Sequence, residues 1–63
     1  MSYKIMDGGI CVSKGIDTIG EAKDQATSYA REVDVDTVTI EDESTGETVT
    51  TGHATFVMEW TDA

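Results

Sequence analysis

Cysteine, histidine and basic residues are scarce in this chain, and each scarcity argues against a class of function. The single cysteine, Cys11, allows no intramolecular disulfide, and with only one histidine, His53, there is no Cys/His cluster for structural zinc. A Cys–His catalytic pair also needs a third group that orients the base, and nothing in the sequence marks a pocket or an oxyanion hole. We therefore expect a protein that is not an enzyme and holds no metal or cofactor, with Cys11 a half-buried filler and His53 a surface residue.

Long apolar runs are also missing. No run is longer than three residues, as in Phe56-Val57-Met58, whereas a membrane-spanning helix needs about 20. The N-terminus lacks the charged-then-apolar pattern of a secretory signal. We expect a cytoplasmic protein without membrane contacts, in agreement with a lone free thiol.

The known ligand-binding loops are not matched either. Counted from Asp34, Val38 stands where an EF-hand places its third oxygen ligand, and Thr39 where it needs glycine. Gly8 and Gly9 lie between two predicted strands instead of leading into a helix, as a phosphate-binding loop would. These patterns predict neither a calcium site nor a nucleotide site.

Acidic residues dominate what remains. Thirteen Asp and Glu against four Lys and Arg give a net charge of −9. Such a charge opposes binding to DNA, RNA or an anionic membrane and favours a partner protein with a basic surface. A salt-rich cytoplasm that screens self-repulsion is the alternative explanation, and the ten threonines fit it equally well.

The first half of the chain predicts a β-hairpin followed by a helix. Strands at Tyr3–Met6 and Ile10–Ser13 flank Asp7-Gly8-Gly9, residues that tolerate a tight turn. Thr18 and Glu21 have the spacing of a capping box, which begins a helix. The helix carries one apolar stripe at three- and four-residue steps, made of Ile19, Ala22, Ala26, Tyr29, Ala30 and Val33.

The second half predicts further antiparallel strands. One strand alternates about Val38 and Ile40, and a second, Glu47–Thr51, follows a polar loop. We expect a bend at Gly52 and then a strand from His53 to Trp60, whose core-facing residues are Ala54, Phe56, Met58 and Trp60. Trp60 is interpreted as capping the core beside Tyr3, with an exposed interface anchor as the alternative.

These elements together predict a single α+β domain, residues 1–63. One helix packs on one face of a four-stranded antiparallel sheet in the order β-β-α-β-β, or a five-stranded sheet if the last strand splits at Gly52. A chain of 63 residues buries only about 60% of its unfolded surface. Its core is therefore thin, and a homodimer through the open sheet face, with its threonines, Val57 and either Met6 or Cys11, is an open alternative.

The arrangement of the hairpin around Gly8-Gly9, the Thr18-x-x-Glu21-Ala22 helix start and the Gly46 hairpin resembles two groups. One is the small acidic phage and mobile-element proteins of the anti-CRISPR, anti-defence type. The other is a class of small bacterial and archaeal domains with the same order of elements. The first resemblance implies an inhibitory protein that binds a host complex.

The acidic residues provide the candidate binding site. Carboxylates spread over a small rigid body can imitate the phosphates of a nucleic acid and occupy a basic groove. The predicted partner-binding residues are Glu21, Asp24, Glu32, Glu41, Asp42, Glu43 and Glu47. Two hypotheses follow: an acidic nucleic-acid mimic that blocks a CRISPR-type or other nucleic-acid-binding complex, and a homodimeric housekeeping module of a halophilic organism.

Overall fold

A computed structural model describes residues 2–63 and has one helix packed on a five-stranded antiparallel sheet. The spatial order of the strands is β2-β1-β3-β4-β5. The elements are β1 (Tyr3–Asp7), β2 (Ile10–Ile16), α1 (Ile19–Val33), β3 (Thr37–Asp42), β4 (Thr48–Ala54) and β5 (Met58–Asp62). The predicted fold class is confirmed, with the five-stranded form of the sheet.

Strand β2 extends beyond the predicted end at Ser13. Its pairing with β1 shifts register twice, and Gly15 adopts a positive φ of 70°, a conformation that favours glycine. Lys14 and Gly15 therefore continue the strand as an irregularity instead of ending it. The continuation brings Ile16 into the core, where it is buried.

Helix α1 begins and ends with identifiable caps. The Thr18 hydroxyl oxygen accepts a hydrogen bond from the backbone N–H of Glu21 at 3.1 Å, as expected for an N-cap. At the other end Asp34 adopts a left-handed conformation (φ 56°), and the N–H of Val35 donates to the carbonyl of Ala30 at 3.3 Å. This reversal leaves Val33 half exposed and packs Val35 against the core instead. Val33, predicted as the last residue of the core-facing apolar stripe, therefore does not pack into the core.

The core lies between the alanine stripe of α1 and the centre of the sheet. Ile5, Val38 and Ile40 are fully or almost fully buried from the sheet side. They meet Ala22 and Ala26 of α1 in one cluster of buried residues, and Ala30, one turn further along the helix, is also buried. Small side chains let the helix backbone approach the sheet closely, so the few large core residues are well covered.

One polar contact ties the helix to β1. The Tyr29 hydroxyl donates a hydrogen bond to Asp7 Oδ2 at 2.7 Å. Because this hydrogen bond stabilises the protonated phenol, it raises the pKa of Tyr29 above its ordinary value. The aromatic ring packs against the core while its hydroxyl stays at the surface.

The end of the chain departs most from the sequence prediction. β4 runs without a bend through Gly52 to Ala54, and the chain reverses at residues 55–57 before β5. The N–H and the hydroxyl of Thr55 both donate to the carbonyl of Val57, at 3.2 and 2.8 Å, and stabilise this turn. Phe56, predicted to face the core, is therefore fully exposed at the tip of a hairpin.

Gly52 has a packing role in place of the predicted bend. It pairs with Trp60 across the β4–β5 ladder, and a Cβ atom at this position would lie 2.7 Å from Cζ3 of the indole ring. The Trp60 ring packs against the core, with the Lys23 ammonium 5.6 Å from its centroid. Trp60 thus caps the core as predicted, but on β5, three strand positions from the strand of Tyr3.

We expect Gly52→Ala to destabilise the fold by about 1–3 kcal/mol, the usual effect of overpacking. The new methyl group would collide with the Trp60 ring and with Met58 Sδ, which is 3.0 Å from the Cβ position. The control is Gly20→Ala on the exposed side of α1, where no atom lies within 4 Å. It should stabilise the fold by about 0.5–1 kcal/mol through helix propensity.

Urea unfolding followed by the fluorescence of the single tryptophan measures both changes. If Gly52→Ala left the midpoint and the emission spectrum unchanged, the close packing of Trp60 on Gly52 would be wrong.

Candidate functional surfaces

The antiparallel topology gathers carboxylates at one end of the molecule. Tyr3 pairs with both Ile16 and Asp42, so the end of β2, the start of α1 and the β3–β4 turn meet there. The end of β5 joins them, because Asp62 pairs with Thr50 near the start of β4. We call this region the acidic end, formed by Asp17, Glu21, Asp42, Glu43, Glu47 and Asp62.

Short hydrogen bonds hold the β3–β4 turn at this end. Asp42 Oδ1 accepts from the Ser44 hydroxyl at 2.7 Å and from the Ser44 N–H at 2.8 Å. The Glu43 carboxylate accepts the N–H of Gly15, and the Glu43 N–H donates to the carbonyl of Ser2 at 3.0 Å. Because Glu43 is bonded both to Gly15 on β2 and to Ser2, the residue before β1, the turn is held against the sheet.

The seven predicted partner-binding residues do not form one patch. Glu21, Asp42, Glu43 and Glu47 belong to the acidic end, and Asp24 is exposed one helical turn after Glu21. Glu32 is exposed on the last turn of α1, at the opposite end of the molecule. Glu41 lies on the open face of the sheet, where Lys4 Nζ is 3.6 Å from its carboxylate. Asp17 and Asp62 were not predicted, because their proximity depends on strand order.

The open face of the sheet is mainly polar. One row across all five strands runs through Cys11, Met6, Thr39, Thr51 and Thr61. Cys11 is exposed at the edge of this row, so its prediction as a half-buried filler was wrong. Its strand is an edge strand, which no neighbour covers on that side. Val57, also predicted for this face, lies in the β4–β5 turn instead.

His53 is an exposed residue of the open face, as predicted. Its Nδ1 is 3.4 Å from the Thr37 hydroxyl, and Glu59 stands opposite His53 in the β4–β5 ladder. Cys11 and His53 do not form a catalytic pair, since two strands, β1 and β3, lie between β2, which carries Cys11, and β4, which carries His53.

The opposite end of the molecule is the most apolar part of the surface. The large exposed hydrophobic residues of the described chain all lie there: Ile10, Val33, Phe56 and Val57. Between the end of α1 and the β4–β5 turn is a cleft of about 400 Å³. Ala30, Val35, Ala54 and Met58 line it, with Phe56 at its rim. The cleft could not be predicted from the sequence, because the expected continuous strand from His53 to Trp60 placed Phe56 in the core.

Neither a metal-binding cluster nor a membrane helix is found in the part of the chain that the structure describes. No three His, Cys, Asp or Glu side chains among residues 2–63 are grouped as metal ligands. Among residues 2–63 no helix is long and apolar enough to span a membrane. Comparison with protein-family models, with curated proteins and with solved structures gave no significant match to this chain.

The hydrogen bonds from Ser44 lower the pKa of Asp42, with the side-chain hydroxyl as the larger cause. A carboxyl whose pKa is lower in the folded state stabilises that state fully above its unfolded pKa of about 3.9. That contribution is lost as the pH falls through the lower, folded value. We expect Ser44→Ala to raise the pKa of Asp42 toward its usual range, because only the backbone N–H donors of residues 44 and 45 remain.

Carboxyl titration by NMR measures this change directly. The control, Thr55→Ala, deletes a hydroxyl from the other hairpin turn and should leave Asp42 unaffected. An unchanged Asp42 titration in Ser44→Ala would show that the hydroxyl does not bind the carboxylate in solution.

Proposed function

We propose that this chain is a non-enzymatic inhibitory binding protein that imitates a nucleic acid. Its acidic end and the outer face of α1 would occupy a basic groove on a CRISPR-type defence complex or another nucleic-acid-binding complex in the host cytoplasm. The observation that carries the proposal is the gathering of six carboxylates at one end of a compact body with net charge −9. Long-range attraction to a basic surface would speed the encounter.

The rigidity of the acidic end supports this proposal. The Thr18 cap fixes the start of α1, and the bonds to Ser44 and Gly15 fix the β3–β4 turn. Side chains held on ordered backbone lose less entropy on binding than those on a mobile loop. A charged groove would therefore meet the carboxylates of Asp42 and Glu43 at nearly fixed positions.

The outer face of α1 extends the same charge along the molecule. Glu21, Asp24 and Glu32 are all exposed there, and a rise of about 1.5 Å per residue places Glu21 and Glu32 about 16 Å apart along the axis. Two of the four basic residues are engaged elsewhere. Lys4 pairs with Glu41 on the open face, and Lys23 lies over Trp60. Neither ammonium group lies within 4 Å of a carboxylate of the acidic end.

The test compares two triple variants that lose the same number of charges. Glu21→Gln/Asp24→Asn/Glu47→Gln removes charge from the acidic end and the adjacent helix face. The matched control, Asp34→Asn/Asp36→Asn/Glu59→Gln, removes it from the apolar end and the open face. We expect the first variant to lose at least tenfold in inhibition, or about 1.4 kcal/mol of binding free energy, and the control to lose much less.

The measurement is the displacement of target DNA from a panel of RNA-guided nuclease complexes and other DNA-binding proteins over a salt series. Inhibition should weaken with added salt, because screening shortens the reach of the attraction. Equal inhibition by the two variants, or inhibition that salt does not weaken, would contradict the proposed mimicry.

A second candidate is a housekeeping module of a halophilic organism, in which the acidic surface is an adaptation to salt. The observation that favours it is the lack of charge compensation: among residues 2–63, Lys4–Glu41 is the only ion pair within 4 Å. Repulsion among the remaining carboxylates destabilises the compact state until salt screens it.

If this second hypothesis holds, the fold should be barely stable in dilute buffer, and its melting temperature should rise steeply with potassium chloride. The measurement uses thermal melts at a protein concentration low enough that association does not contribute. A fold that is already stable in dilute buffer, with a melting temperature that salt does not move, would rule this candidate out.

A further inference from the structure

The cleft exists because one helix cannot cover five strands. α1 packs over β1, β2 and β3, and has no comparable packing on β4 and β5. A helix with its side chains is about 10–12 Å across and strands are about 4.8 Å apart, so about three strands are the limit. Trp60 and Lys23 cover part of the remainder. What is left uncovered on the helix side is the cleft of about 400 Å³.

Two protruding apolar side chains stand beside the cleft. Phe56 is 105% exposed and Val57 is 65% exposed, and both stand at the rim of the cleft lined by Ala30, Ala54 and Met58. A dimer with two-fold symmetry requires one patch that complements itself. We propose that a second copy of this chain occupies the cleft, with Phe56 of each copy inserted between α1 and the β4–β5 turn of the other.

The charges around the cleft also complement each other across a two-fold axis. Arg31 lies on the helix wall, and Asp34 and Asp36 lie where the chain leaves the helix. No carboxylate among residues 2–63 is within 4 Å of the Arg31 guanidinium. Antiparallel placement of two copies would set Arg31 of each against Asp36 of the other, forming two identical pairs.

Net charge decides how this association depends on salt. Two bodies of −9 each repel at long range, so screening should strengthen the dimer. A basic ligand in the same cleft would show the opposite trend. A standard interface buries about 800 Å² per partner, about a fifth of the 4008 Å² surface of the chain. Because the repulsion between the two copies opposes the contact, we expect a dissociation constant of about micromolar or weaker.

Sedimentation equilibrium in about 0.1 M and about 1 M potassium chloride tests the proposal, since these concentrations change the Debye length from about 10 Å to about 3 Å. The dimer should be stronger in high salt. Phe56→Ala should raise the dissociation constant about tenfold or more, while far-UV circular dichroism shows an intact fold. The control is Ile10→Ala, which removes an exposed apolar side chain on β2, outside the cleft, and should leave the constant unchanged.

A charge exchange distinguishes this arrangement from general stickiness. Arg31→Glu and Asp36→Arg should each weaken self-association, because each homodimer then contains two like-charge pairs. An equimolar mixture of the two variants should form a heterodimer, in which both pairs are again attractive. The mixture is measured at the lowest salt concentration at which the unsubstituted chain dimerises.

Three results would overturn the proposal. The first is a chain that stays monomeric at about millimolar concentration, where even a −4 kcal/mol interaction would be detected. The second is self-association that added salt weakens. The third is a dimer that the substitution Phe56→Ala leaves intact. The last result would assign the contact to another surface, such as the open face of the sheet. Because none of these measurements involves a basic partner, their failure would leave the proposed mimicry to its own test.

Discussion

The structure depends on how much sheet a single alanine-lined helix can cover. Ala22 and Ala26 bring the α1 backbone close to Ile5, Val38 and Ile40, which seals the core over three strands. Close approach limits the reach of the helix, since alanine adds almost no side-chain width. The last two strands must therefore cover themselves. They do so with the Trp60 ring lying on Gly52, and the uncovered remainder is the cleft.

Charge is distributed by the same topology. The antiparallel order places the start of α1, the β3–β4 turn and the end of β5 at one end, and the end of α1 and the β4–β5 turn at the other. The first group is rich in carboxylates, and the second contains Val33, Phe56 and Val57. The helix dipole favours acidic residues such as Glu21 at the start of a helix. Glu21 therefore stabilises α1 and also adds charge to the acidic end. No such benefit applies to Asp34, where a carboxylate stands at the helix end.

The sequence was most informative where periodicity and caps are local. Thr18, the alanine stripe and the first hairpin could all be predicted, because each depends on residues only a few positions apart. The β4–β5 turn could not, since Ala54, Phe56, Met58 and Trp60 alternate as a single strand would. Only the pairing of Gly52 with both Val38 and Trp60 shows that the chain folds back. Val33 was mispredicted for a related reason: the left-handed Asp34 turns the chain, and Val35 reaches the core instead.

The candidate site was predictable in composition but not in arrangement. Seven acidic residues were predicted to bind a partner, yet Glu41 and Glu32 lie apart from the rest, and Asp17 and Asp62 join the acidic end through strand order. Separation of the two ends has a physical consequence for both proposals. If two copies associate through their apolar ends, repulsion is least when the acidic ends point away from each other, and both remain accessible. The dimer would then present two anionic surfaces on one elongated body, which is the geometry that a long basic groove, or a pair of grooves, would bind most tightly through avidity.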